Sequence, residues 1–162
     1  MIDDFSADEF LEGSGDAPLS TKALPIPYGD YRAYISAVSD KVRVLDPRNE
    51  GDAPRGIVDL TFQLDDADPN YAQAAATTGR TKLTSRMAVW LDLTHAKKLE
   101  RGPGKNTQLG KILDAAGLNA PGAFKSFQQL VGTGPWVVRI EHEADKNDPE
   151  SVYDRVKKST KA

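Results

Sequence analysis

The sequence predicts a mainly β domain of five strands, with one helix between the third and the fourth and an acidic arm in front. Three observations carry this. Apolar residues alternate with period two in five separated stretches, as half-buried strands require. One stretch, "GKNTQLGKILDAAGLNA", switches to helical spacing. Residues 1–18 hold six acids and no Lys or Arg, a composition that does not fold by itself.

The elements follow in order. Residues 1–27 form the arm, acidic and Gly/Ser-rich, closing on "ALPIPYGD"; residues 28–162 form the domain. Phe5, Phe10 and Leu11 are apolar residues set among the arm's acids. In "GDYRAYISAVSDKVRVLD" the first strand places Tyr31, Ala33, Ile35 and Ala37 on one side and Arg32, Tyr34 and Ser36 on the other. It is expected to run on, through a bulge, to Val42 and Val44. Residues 47–55 read as a polar turn. The second strand, "GIVDLTFQLDD", turns Val58, Leu60, Phe62 and Leu64 inward and Asp59, Thr61 and Gln63 outward. A long connection over 67–79 has room for a helical turn in its Ala-rich part.

The third strand, "GRTKLTSRMAVWLDL" (79–93), turns Leu83, Met87, Val89 and Leu91 inward, with Ser85 out of pattern. Its other face holds Arg80, Lys82, Arg86 and Trp90. The helix follows, with Leu109, Ile112, Leu113 and Ala116 on one side, Asn106 or Thr107 to cap its start and Gly117 to stop it. Residues 121–132 suit a second short helix. The fourth strand points Trp136, Val138 and Ile140 one way and Val137, Arg139 and Glu141 the other. After the "KNDPE" turn, the fifth sends Val152 and Val156 inward and Tyr153, Arg155 and Lys157 outward. Strand, strand, strand, helix, strand, strand is the order of the five-stranded OB-fold barrel. An immunoglobulin sandwich would need about seven strands.

Composition narrows the function. A chain of 162 residues suggests one domain. No run approaches the roughly 18 apolar residues of a membrane helix. There is no cysteine, which removes disulfides, thiolate metal sites and cysteine nucleophiles. The two histidines, His95 and His142, make no metal motif; "HEADK" lacks a second His and sits on a strand. "GPGKN" is not a phosphate-binding loop, because Leu99 stands where the leading Gly should be. No G-x-S-x-G elbow is present. The expectation is a non-enzymatic protein with no cofactor and no metal.

The charge points to a polyanion. Net charge is −3, yet residues 79–111 hold eight cations against Asp92 and Glu100. Single-stranded nucleic acid needs cations for its phosphates and flat side chains for its bases. The outward faces supply both: Arg32 and Tyr34; Arg80, Lys82, Arg86 and Trp90; Tyr153, Arg155 and Lys157; with Lys105 before the helix. Stacking falls to Trp90, Tyr34 and Tyr153. Each aromatic has a plainer use. Trp90 can cover a barrel end, Tyr34 can be a cross-strand partner, and Tyr153 with Arg155 can protect an edge. Trp136, alternating with Val138 and Ile140, belongs to the core.

The runs "YGDYRAYISAV", "GRTKLTSRMAVWLDL", "GKNTQLGKILDAAGL", "LVGTGPWVVRIEHE" and "YDRVKK" resemble phage-encoded single-stranded DNA-binding proteins over residues 28–158. The matching positions are Gly29 and Tyr31, Trp90 to Leu93, Ala116 to Leu118, then Leu130, Gly132, Val137, Val138 and Ile140. The resemblance implies an OB fold, sequence-tolerant coating of single-stranded DNA in replication or recombination, and the cytoplasm of an infected bacterium. One departure stands out. Such proteins often end in an acidic tail, whereas this chain ends in the basic "KKSTKA" and is acidic at the front. Phe5 and Phe10 would then recruit a replication or recombination protein, or the arm would fold over the basic groove. The rival expectation is a β-barrel that docks protein, as a phage accessory or structural component. An exposed edge strand would also offer a second copy of the chain a pairing surface.

Overall fold

The computed structural model describes residue 18 and residues 23–162. Phe5, Phe10 and Leu11 lie outside the described residues. Six strands make one antiparallel sheet: β1 (Gly29–Val38), β2 (Arg43–Leu45), β3 (Arg55–Leu64), β4 (Thr84–Asp92), β5 (Trp136–Ala144) and β6 (Val152–Lys161). Among the described residues two helices join them, α1 (Tyr71–Thr78) and α2 (Thr107–Ala116), with a 3₁₀ turn at Phe127–Leu130. The mainly β class is as the alternation predicts. The count differs by one strand: residues 43–45 form a separate short strand, where a bulged extension of the first was expected. The helical turn expected within 67–79 is a two-turn helix.

β1 is shared between two neighbours. Its first half pairs with β5 (Tyr31 opposite Val138) and its second half with β3 (Ile35 opposite Phe62). Ser36 is an extra residue opposite β3, and this bulge shifts the phase of the last residues of β1. Ala37, expected inward, is therefore exposed, and Val38 is buried instead. Ile35, Leu60, Phe62, Leu83, Val89, Trp136, Val138 and Ile140 fill the core. Ser85 keeps the inward phase of β4 despite its hydroxyl and is buried there. Val152, expected inward, is exposed at the start of β6.

β4 ladders with β3 along its whole length, from Arg55 opposite Asp92 to Gln63 opposite Thr84. β6 ladders with β5. β4 and β6 run in the same sense and come within 8 Å between Cα atoms, yet no ladder joins them. α2 packs against both strands and inserts Leu109, Ile112 and Leu113 into the end of the core. No helix among the described residues is long and apolar enough to cross a membrane.

Residues 24–27, the end of the segment that reads as arm, are strapped to this body. Ile26 is fully buried; its amide donates to Asp154 Oδ2 at 2.9 Å and its carbonyl meets His142 Nε2 at 2.6 Å. The Tyr31 hydroxyl donates to the Pro27 carbonyl at 2.8 Å. Burial, and then the Asp68 carboxylate, raise the Tyr31 pKa and keep the hydroxyl a neutral donor. Removing the anchor should be costly. Ile26→Ala is expected to lower unfolding stability by about 2–5 kcal/mol, and Tyr31→Phe by about 1 kcal/mol, in urea titrations. An Ile26→Ala protein as stable as the parent would mean that the strap contributes nothing.

Candidate nucleic-acid interface

The outer face of β1, β3 and β4 follows from the registers. Tyr34 sits opposite Gln63 and Gln63 opposite Thr84; Thr61 faces Arg86, Asp59 faces Ala88, and Ile57 lies between Arg43 and Trp90. One face of the sheet thus carries Tyr34 near one end and Trp90 near the other, with Arg86 between them along β4. Trp90 is 47% exposed and Tyr34 37%. Tyr34 is seated on Gly134, where a Cβ would lie 2.7 Å from the Tyr34 ring and 3.1 Å from the Ala33 carbonyl. Trp136 is only 2% exposed, as its alternation predicts.

Trp90 has a cation beside it that sequence reasoning missed. The Arg55 guanidinium lies 5.1 Å from the Trp90 ring centroid, within cation–π range. Arg43 shares the same face through Ile57. Element boundaries hide both in the sequence: Arg55 reads as turn, and Arg43 as the tail of β1. A signal exists, since Arg55, Ile57 and Asp59 continue the outward phase of β3 by one more pair. Asp59 is the carboxylate at the middle of this face.

β4 is held from its other side by α2, through amides rather than a strand. Gln108 accepts from the Trp90 amide at 3.2 Å and donates to the Ala88 carbonyl at 3.4 Å. Asn106 accepts from the Asp92 amide at 2.8 Å and donates to the carbonyls of Asp92 and Glu100. Asn106 or Thr107 was expected to cap α2, and Asn106 stands at the N-cap position. Its side chain makes no cap, because it is spent on β4.

The other expected residues are dispersed. Lys82 lines a hollow of about 510 Å³ with Tyr34, Gln63 and Tyr71, at the rim of the face. Arg80 and Lys82 lie in the loop before β4 rather than on the strand, which begins at Thr84. Arg80 is taken up by the strap: it bonds the Leu24 carbonyl at 3.2 Å and pairs with Asp154 at 3.7 Å. Arg32 pairs with Asp65 at 3.3 Å. Lys105 lines a separate groove with Leu99, Leu113, Leu118 and Phe124. Tyr153, Arg155 and Lys157 gather on Glu143, which accepts from the Tyr153 hydroxyl at 3.2 Å and forms ion pairs with both cations. Arg155 also lies 5.4 Å from the Tyr153 ring. On the β1–β5 surface, a hydrogen bond and the charge of Asp30 raise the Arg139 pKa, and Arg139 also meets the Tyr28 hydroxyl at 3.1 Å. No cluster of His, Cys, Asp or Glu among the described residues is arranged to hold a metal ion.

Comparison with family models, with curated proteins and with solved structures returns no match to the chain.

The two tryptophans report on this geometry. Acrylamide is expected to quench Trp90 emission and to spare Trp136, so Trp90→Phe should lose the quenchable component. Asn106→Ala should cost about 1–3 kcal/mol, because it leaves buried backbone groups of β4 unpaired. Undiminished quenching in Trp90→Phe would contradict an exposed Trp90.

Proposed function

We propose that the protein is a non-enzymatic OB-fold protein that binds single-stranded DNA without sequence preference. The carrying observation is the exposed pair of rings, Tyr34 and Trp90, on one sheet face with Arg86, Arg55 and Arg43. Stacking tolerates any base, because every base has a π-face, and the guanidinium groups serve the phosphates. The fold reading has its own support. With β2 and α1 set aside as insertions, the order is three strands, a helix and two strands, and β1 is shared between two neighbours. Such folds take oligonucleotides on the face of their second and third strands; in this order these are β3 and β4, the latter carrying Trp90, and Tyr34 on β1 borders them. The resemblance to phage single-stranded DNA-binding proteins points the same way.

On this account the contacts divide. Trp90 and Tyr34 stack; Arg86, Arg55, Arg43 and Lys82 take phosphates. Arg80 holds the strap, and Arg32 is partly offset by Asp65. Coating of replication or recombination intermediates in an infected cell, with the acidic arm recruiting a partner protein, is the biological setting this activity fits. The rival, a protein-docking barrel, draws on the groove lined by Leu99, Leu113, Leu118 and Phe124 beside α2.

Titration with a dT oligonucleotide, followed by tryptophan emission, separates the two. The proposal expects quenching, weaker binding to duplex, and affinity that falls with salt. Trp90→Ala should weaken binding by about 1–3 kcal/mol. Arg86→Gln should lower the salt slope by about 0.7. Tyr153→Ala should do less than Trp90→Ala, because Tyr153 is engaged with Glu143. No binding at low salt, with or without residues 1–18, would sink the proposal.

A further inference from the structure

The line where β4 and β6 pass without a ladder is a cation-lined seam. At one end is a hollow of about 640 Å³ lined by Arg86 from β4 and by Tyr153 and Arg155 from β6. At the other end, between α2 and the last residues of β6, is a hollow of about 410 Å³ lined by Lys111, Lys157, Lys158 and Lys161. The second hollow has no carboxylate in its walls. The first has Asp154, whose Oδ2 is already engaged with the Ile26 amide and Arg80. Arg86, Lys111, Lys158 and Lys161 make no ion pair with any described residue.

The polar groups of the walls are donors as well. Ser159, Thr160 and Thr107 line the second hollow. Ser85 lines the first, and its buried hydroxyl has no hydrogen-bond partner among the described residues. The second hollow has an apolar floor of Met87, Ile112 and Ala115 and no aromatic wall on which a base could stack, so its lysines offer contacts to a phosphodiester backbone. From Arg155 to Lys161 the strand extends about 20 Å, at roughly 3.3 Å per residue, a row rather than a point site. Arg86 belongs to both surfaces, since it stands on the outer face of β4 and in the wall of the first hollow.

We infer that a single strand held on Tyr34 and Trp90 crosses β4 at Arg86 and lays its continuing phosphates along this seam, on Lys111, Lys158 and Lys161. This rests on the single-strand reading above and extends it: the protein has a stacking face and a second, backbone-only track. At the seam β6 is a neighbour of β4 without a ladder, and α2 packs against both strands.

Oligonucleotide length tests it, with dT strands of about 6 and about 16 nucleotides, inside the range one such fold covers. The variant is K111Q/K158Q/K161Q; the control, K98Q/K125Q/K146Q, removes the same charge elsewhere. The seam variant should bind the short strand as the parent does. Its salt slope for the long strand should be less steep by about 2, at about 0.7 per phosphate. The control should match the parent on both. A seam variant that changes both strands alike or neither, or a control that reproduces its effect, overturns the second track. Long-strand binding that is lost in Trp90→Ala but untouched in the seam variant overturns the track alone. No binding of either strand by the parent overturns the track together with the reading beneath it.

Discussion

Among the described residues, strand β4 has a β-strand partner on one side only. On the other, the amide side chains of Asn106 and Gln108 bond alternate backbone groups of Asp92, Trp90 and Ala88, as a neighbouring strand would. Unpaired strand edges invite wrong pairing, and side chains from a helix are one way to occupy them. The rest of the molecule depends on this substitution. It fixes the start of α2 against the sheet, so that Leu109, Ile112 and Leu113 plug the core. It holds the strand that carries Trp90 and Arg86 from both sides. On that side β6 is a neighbour of β4 without a ladder, and α2 packs against both strands.

Charge is distributed to match. Carboxylates sit where the fold uses cations structurally: Asp154 with Arg80 at the strap, Asp65 with Arg32, Asp30 with Arg139, and Glu143 with Arg155 and Lys157. Exposed pairs of this kind contribute little stability each, but they cancel the local field. Among the cations that make no ion pair with a described residue are Arg86 on the outer face of β4 and Lys111, Lys158 and Lys161 along the seam. A formal net charge of −3 hides this, because the six acids of residues 1–18 outweigh the surplus of cations in residues 19–162.

Much of the fold is legible in the sequence, for a simple reason. Burial on one side imposes period two on a strand, and Val58–Leu64, Met87–Leu91 and Trp136–Ile140 show that period cleanly. α2 is legible from Leu109, Ile112, Leu113 and Gly117. Local spacing cannot express the features that break the pattern. The bulge at Ser36 depends on the register with β3, so alternation alone puts Ala37 on the wrong face. Ile26 looks like arm, because only distant partners, Asp154 and His142, make it core. The site is legible in part. Trp90, Tyr34 and Arg86 share a face as alternation implies. The set on Tyr153, Arg155 and Lys157 is not legible, because Glu143 reaches it from the next strand. Arg55 escapes notice because the strand begins one residue before its apolar run.

The central claim is that bases stack on the face built by β1, β3 and β4. Amide and indole chemical-shift mapping by NMR, with an unlabelled dT oligonucleotide added stepwise, addresses that face directly. The account predicts large shifts for the Trp90 indole N–H and for amides around Tyr34, Thr61 and Arg86, with the Trp136 indole unmoved. Shifts confined to the groove of Leu99, Leu118 and Phe124, or no shifts at all, would contradict it.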